Sequence, residues 1–261
     1  MLRAYGVTDK GRVRATNEDR FVIDESMGLA VAADGMGGHN AGEVAASLAV
    51  DAIADFVREV LVRRGDSGPG LDETWPFGLD ASLSDGGNLL RTAIHLANVQ
   101  ILEMASTSDA YAGMGTTVVA ALLVGDRISI GHVGDSRAYL VAPDRMRQLT
   151  DDDSWVATVL AQNPQADLTA LKHHPMRNAL TNVVGARPRV DVHIVEETLS
   201  AGDRLLMTTD GVHGVLDQNE LEGLVRGSTD AGALPAEIVG AALARGSRDN
   251  CTAIVIEYRS S

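Results

Sequence analysis

Apolar residues in this chain fall into runs of two kinds. Short β-branched or Ala-rich blocks occupy 29–33 (LAVAA), 116–125 (TTVVAALLVG), 126–134 (DRISIGHVG), 135–142 (DSRAYLVA), 203–209 (DRLLMTT) and 252–258 (TAIVIEY), and each predicts a strand. Longer runs with helical spacing cover 41–64, 87–106, 217–226 and 234–245. The first of these is rich in Ala and Leu and ends in Arg63, Arg64 and Gly65, the charges and breaker of a helix C-terminus. Residues 65–86 form a Gly/Pro/Ser/Asp stretch, read as an insertion between two helices and not as a domain boundary. The strands within 116–142 read as a meander, with hairpin breaks at Gly125-Asp126 and Gly134-Asp135. Residues 151–190 are polar and irregular and read as a mobile surface excursion, a flap. Antiparallel strands kept apart from helix pairs favour a layered α+β domain over a doubly wound one. No linker divides 1–261, so a single domain is expected.

Composition narrows the function. Hydrophobic residues make up 45% and charged residues 22%, an ordinary globular balance. Aromatics supply only 3%, so the core must be packed from Ala, Val, Leu and Ile. The 36 acidic residues outnumber the 22 basic ones, for a net charge of -14. That balance argues against nucleic acid as partner. With Lys10 and Lys172 the only lysines, polybasic membrane docking has little support either. A lone cysteine, Cys251, and the lack of an apolar leader or a span of roughly 20 uncharged residues lead to the expectation of a soluble, cytoplasmic protein.

The chemistry lies in where the acids sit. Asp34-Gly35 follows one apolar strand, Asp210-Gly211 follows another, Asp249 precedes the last, and Asp135 lies between two more. Acids beside buried strands are costly unless something neutralises them. Were they to converge, divalent cations would relieve their repulsion, and hard oxygen donors without Cys point to Mg²⁺ or Mn²⁺. Gly35 and Gly211 would let the backbone turn sharply and offer a carbonyl oxygen. For any single Asp-Gly a plain turn is the simpler reading. Arg14, five residues before Asp19, has the fork that matches phosphate oxygens, although alone it reads as a solvated surface arginine. Asp152 and Asp153 read as a solvated acidic turn, His173-His174 as exposed, and Cys251, Met114 and Met207 as packing residues.

Taken together, TDKGRVRATNED (8–19), AADGMGGHNAGEVAAS (32–47), GMGTT (113–117), GHVGDSRAYL (131–140), HPMRNALTNVVG (174–185), TTDGV (208–212) and SRDNCTAIVI (247–256) resemble, in order, the motifs of the protein phosphatase 2C family, the metal-dependent serine/threonine protein phosphatases, in its compact bacterial form. The resemblance implies a four-layer α-β-β-α sandwich, two antiparallel sheets flanked by helix pairs, forming one catalytic domain with the flap at about 151–190. It implies two Mn²⁺ or Mg²⁺ ions: Asp34 bridging both, Gly35 lending a carbonyl, Asp210 and Asp249 completing one, and Asp19 holding the other, with Glu18 as a substitute. Asp135 with Asp210 would hold a weaker third ion. Arg14 matches the phosphate-binding arginine. The reaction implied is in-line attack on phosphoserine or phosphothreonine by a water activated between the two ions, with no side-chain nucleophile. Implied partners are phosphoproteins and a cognate Ser/Thr kinase whose work is reversed, with neither nucleic acid nor membrane, and a monomeric enzyme.

Departures from the family pattern bear on detail. Met36 stands where animal members carry a histidine proposed as proton donor, and His39 takes up that role as a hypothesis. Gly214 replaces an acid often found near the third ion, and TDDDSW stands where relatives commonly have Asp-His-Ser. Other phosphatase chemistries fit poorly. Cysteine phosphatases need Arg six residues after the nucleophile, where Glu257 follows Cys251; calcineurin-like enzymes need an Asn-His pair; haloacid-dehalogenase enzymes need DxDx[TV] after a strand. The alternatives left are an inactive domain of the same fold that binds phosphopeptides or effectors, and a small-molecule phosphomonoesterase.

Overall fold

The computed structural model describes residues 2–38, 41–67, 75–143 and 145–258. Strands β1 (Leu2–Asp9), β2 (Asp19–Asp24) and β3 (Leu29–Met36) lead into helices α1 (Ala41–Ser67) and α2 (Asp85–Ala105). Strands β4 (Gly115–Thr116), β5 (Val118–Val124), β6 (Arg127–Val133), β7 (Arg137–Val141) and β8 (Met146–Gln148) follow. Short helices α3 (Trp155–Gln162) and α4 (Leu168–Lys172) precede β9 (His193–Thr198) and β10 (Arg204–Thr208). The chain continues through α5 (Asp210–His213), α6 (Gln218–Gly227) and α7 (Leu234–Ala244) to β11 (Cys251–Tyr258).

The strands make two antiparallel sheets, ordered β1-β11-β10-β7-β8 and β2-β3-β5-β6-β9, with β4 paired to β3. Three apolar layers follow from the two-residue period of a strand. Leu29, Val31 and Ala33 face α1 and α2, whereas Ala30 and Ala32, one residue out of phase, face the other sheet. Cys251, Ala253 and Val255 pack under α5–α7, while Ile254 and Ile256 enter the inter-sheet layer. Strands buried on both faces need apolar residues at every position, which is why these runs are continuous. The α-β-β-α sandwich is therefore the expected α+β architecture.

The helices carry their own start signals. Ser84 caps α2 by accepting from Gly87 N at 3.2 Å. Asp217 and Glu220 close a reciprocal capping box on α6. Helix α1 runs two residues past Gly65, because fixed ends come from packing and not from one breaker.

Two expectations fail. Gly125-Asp126 does make a hairpin between β5 and β6, but Gly134-Asp135 does not: there the chain leaves one sheet for the other, since β6 pairs with β9 and β7 with β10. The flap also holds two short helices, α3 capped by Ser154 (Ala157 N donates to its Oγ, 3.2 Å) and α4 capped by Asp167. It bridges β8 of one sheet to β9 of the other. Among the described residues no helix is long and apolar enough to cross a membrane.

Candidate active site

The site is built from β-register. Asp19 opens β2 directly opposite Asp34 of β3. Asp34-Gly35 is therefore not a turn after a strand, because β3 continues through Gly35 and pairs it with Thr116 of β4. Gly35 serves close approach instead of turning: a Cβ there would collide with the carbonyl oxygen of Gly42, and one at Gly211 would collide with that of Asn250. Asp34 is fixed by its main chain. Its carbonyl accepts from Thr117 N and Thr116 Oγ1, both at 2.9 Å, and its amide donates to Thr117 Oγ1 at 3.0 Å.

The other acids arrive from sheet ends. Asp210 is the first residue of α5, Asp135 occupies the passage from β6 to β7, and Asp249 sits just before β11. They share one field. Burial pushes the Asp34 carboxyl well above its ordinary range, and Asp19, Asp210, Asp135 and Asp249 push it further. Asp210 is raised by burial and by Asp249, against a hydrogen bond with Asp34 that lowers it. Burial carries both Asp19 and Asp135 up to about 7, with Asp210 among the neighbours that raise each of them. Asp19 is wholly buried; its Oδ2 takes the hydroxyls of Thr209 (2.9 Å) and Thr252 (2.6 Å).

Two oxygens in this cluster, Asp19 Oδ1 and Asp210 Oδ1, are buried without any hydrogen-bond partner. Orphaned carboxylate oxygens beside other acids form the hard, anionic donor set that divalent cations accept. The residues thus fit the implied ions in kind. As the side chains stand, the acids share a patch without encircling a point: among the described residues no three acids, His or Cys form a ready cage. Asp249 is turned to Arg14, whose Nη2 donates to its Oδ2 at 2.6 Å.

That ion pair moves Arg14 from a solvated residue to the rim of the cluster, about half exposed, where Asp249 first and then Asp34 and Glu18 raise its pKa. Glu18, the substitute for Asp19, lies in the same field; burial raises it and Arg14 lowers it. Met36 is exposed at the end of β3, and His39 lies outside the described residues.

Sequence reasoning missed the residues that hold the acids in place. Thr117, Thr209 and Thr252 do so by hydroxyl, and Asn250 ties the N-terminal loop to β11. Its Nδ2 donates to Lys10 O (2.8 Å) and Thr16 O (3.0 Å), and its Oδ1 accepts from Glu18 N (2.8 Å). The available signal was a hydroxyl or amide adjoining an acid, in Thr209-Asp210 and Asp249-Asn250. Asn250→Ala would strand three main-chain groups and is expected to cost about 1–3 kcal/mol, read as a lower midpoint in urea unfolding.

The acidic turn is engaged and not solvated. Asp152 forms a two-pronged pair with Arg137 at 2.8 and 2.7 Å, and Asp153 pairs with His193 at 3.0 Å. His174 stacks on Trp155 at 4.2 Å between ring centres. Cys251, Met114 and Met207 are buried packing residues, as expected. A groove of about 790 Å³ leaves the cluster at Asp135, Asp210 and Asp249 and runs along the flap past Val156, Leu160 and Arg177.

The chain is similar in sequence and fold to known proteins. The sequence profile of protein phosphatase 2C matches residues 10–233. The serine/threonine phosphatase stp of Listeria welshimeri is 31% identical over 255 residues, covering 96% of this chain and 93% of its own length. The crystal structure of the Mycobacterium tuberculosis serine/threonine phosphatase PstP/Ppp superposes with a TM-score of 0.83 at 29% identity, covering 99% of each chain. A structure of the PstP catalytic domain in complex with two manganese ions gives 0.81 at 28%, again over 99% of each. With a profile match over most of its length, and a sandwich and acid order to go with it, this chain belongs to the protein phosphatase 2C family of serine/threonine protein phosphatases.

Proposed function

We propose that this chain hydrolyses phosphoserine and phosphothreonine on proteins with two Mn²⁺ or Mg²⁺ ions, reversing a Ser/Thr kinase. The observation that carries the reading is the gathering of Asp19, Asp34, Asp135, Asp210 and Asp249 from five separate segments, two of them with an orphaned buried oxygen. Asp34 would touch both ions, Gly35 would offer its carbonyl, Asp210 and Asp249 would complete one, and Asp19 would hold the other. Asp135, which lies in the field of Asp210, would share a third. Such ions, when bound, lower the pKa of a coordinated water towards neutrality and so supply a nucleophile.

The chain's own groups do the rest. Arg14, whose Nη2 donates to Asp249, would turn its planar fork to an entering phosphoryl group and offset the charge on the phosphoryl oxygens. Thr117 fixes the Asp34 main chain, and Thr209 and Thr252 hold the Asp19 carboxylate. Val156 and Leu160 give the groove an apolar wall on the flap side, and its volume of about 790 Å³ leaves room for peptide residues beside the phosphorylated one.

The test is hydrolysis of p-nitrophenyl phosphate and of a phosphothreonine peptide with Mn²⁺, with and without EDTA, alongside nucleotides and sugar phosphates. Turnover of both aryl phosphate and peptide, abolished by EDTA, is expected. Arg14→Ala should lower kcat/KM on both by about 10- to 100-fold, the worth of a charge-assisted fork. Preference for nucleotides or sugar phosphates would overturn the protein-phosphatase reading.

A further inference from the structure

The flap departs after β8 and returns at β9, and both of its ends meet one side chain outside the acid cluster. Asp153 Oδ2 accepts from the amide of Gly134 at 3.0 Å and from Asn182 Nδ2 at 2.8 Å. Its Oδ1 lies 3.0 Å from His193 Nε2. Main-chain bonds complete the joint: Asp153 N donates to Gly134 O at 2.9 Å, and Thr181 N donates to Asp153 O at 2.8 Å. Asn182 is bound in turn to Asp191, through Nδ2 to the carbonyl at 2.7 Å and from the Asp191 amide at 3.3 Å. The His193 ring stacks on His132 at 4.9 Å.

These partners decide what the carboxylate is for. An acid in a turn normally caps the amides one to three residues on, and here Ser154 already caps α3. The donors to Asp153 instead come from 19, 29 and 40 residues away in sequence. They are the residue preceding Asp135, a loop residue in the returning part of the flap and the first residue of β9. The side chain is only 15% exposed, so those donors take the place of water around its oxygens. The Gly134 they hold has φ +94° and sits against Thr117, the residue that fixes the Asp34 main chain.

We infer that Asp153 is a positioning residue: it clasps both ends of the flap to the Gly134-Asp135 passage and thereby sets where the groove wall of α3 stands relative to the acid cluster. The inference rests on the reading of that groove as the phosphopeptide site. A peptide must touch the flap, whereas a small aryl phosphate needs the acid cluster and Arg14 alone, so loss of the clasp separates the two substrates.

The experiment compares Asp153→Ala, Asp153→Asn and Asn182→Ala with the wild type by steady-state kinetics with Mn²⁺ and by amide hydrogen exchange. Asp153→Ala removes all three side-chain bonds and is expected to raise KM for a phosphothreonine peptide at least about tenfold, with kcat/KM for p-nitrophenyl phosphate changed by less than about threefold. Amides in 155–180 should exchange faster while β10 and β11 keep wild-type protection. Asp153→Asn, which still accepts from Gly134 and can face His193 with its amide, should recover most of the peptide KM. Asn182→Ala removes one donor to Asp153 together with the bonds to Asp191, and should move the same readouts in the same direction, which keeps the test alive if Asp153→Ala does not fold. Wild-type peptide KM and wild-type flap exchange in the variants would overturn the clasp. So would an equal loss on both substrates with faster exchange throughout the sandwich. Failure of the wild type to cleave any phosphopeptide would sink the proposed function instead, and the exchange pattern would still decide the clasp.

Discussion

Asp34→Asn is expected to cut Mn²⁺-dependent hydrolysis of p-nitrophenyl phosphate by about 10³-fold or more and, in EDTA, to raise the melting temperature. Loss of one preorganised electrostatic group costs about 10²–10³ in rate. Asp34 stands at the upper end because it lies in the field of Asp19, Asp210, Asp135 and Asp249 together. The stability effect has the opposite sign for the same reason. Burial and four neighbouring acids all disfavour the ionised Asp34, whereas an amide of the same shape carries no charge and can still bond to Asp210. Each kcal/mol relieved raises Tm by about 2–4 °C in a chain of this size. Asp249→Asn supplies the contrast. It too should lose activity, but it breaks the half-exposed pair with Arg14 and should leave Tm in EDTA unchanged or slightly lower. Should Asp34→Asn keep a tenth of the wild-type rate, or lose Tm in EDTA as Asp249→Asn does, the account of the site as strained carboxylates awaiting cations would be wrong.

How much of this was legible in the sequence depended on burial. The central strands β3, β5, β6, β7, β10 and β11 announce themselves, because burial on both faces makes each a continuous apolar run. The strands that escaped notice are β1 and β8 at the edges of one sheet and β2 and β9 at the edges of the other. LRAYGVTD, DRFVID and HIVEET carry charge because an edge strand keeps one flank in water, and the apolar signal fades with it. Dipeptides misled for a related reason. Gly125-Asp126 and Gly134-Asp135 are chemically alike, yet one closes a hairpin and the other changes sheets, which is decided by Asp153 and by pairing with β9 and β10. The acids themselves were legible as motifs. The hydroxyls of Thr117, Thr209 and Thr252 were not, since their task exists only once register brings them to Asp34 and Asp19.

Acidity and metal should act on stability in opposite directions. In EDTA, Tm is expected to fall as pH rises from about 6.5 to 8. Asp19 and Asp135 titrate at about 7 in the folded chain against an ordinary 3.8. Between those values the folded state keeps protons that the unfolded state has released, so stability declines with each unit of pH. The contribution is complete below the unfolded value and gone once pH passes the folded one. Each group spans roughly 3 units, on the order of 4 kcal/mol if it acted alone, and mutual repulsion divides the total among neighbours. Asp24 and Glu196 are shifted the other way, but their contribution fades only as pH falls towards and below their ordinary range. Burial lowers His95, His132 and His213 below their ordinary 6.5, so these imidazoles gain stability as pH rises to that value and offset the acids there; above it the acids act unopposed. Mn²⁺ needs the carboxylates ionised, and its binding strengthens over the same interval in which the protons leave. With saturating Mn²⁺ the profile should therefore flatten or climb from 5 to 8, and the gap between the two curves should widen steadily with pH. Thermal unfolding at half-unit steps, with and without Mn²⁺, reads this directly. A metal-free Tm that is level or rising across about 6.5–8 would mean that these acids are not crowded into one buried field, and the dication site would lose its electrostatic basis.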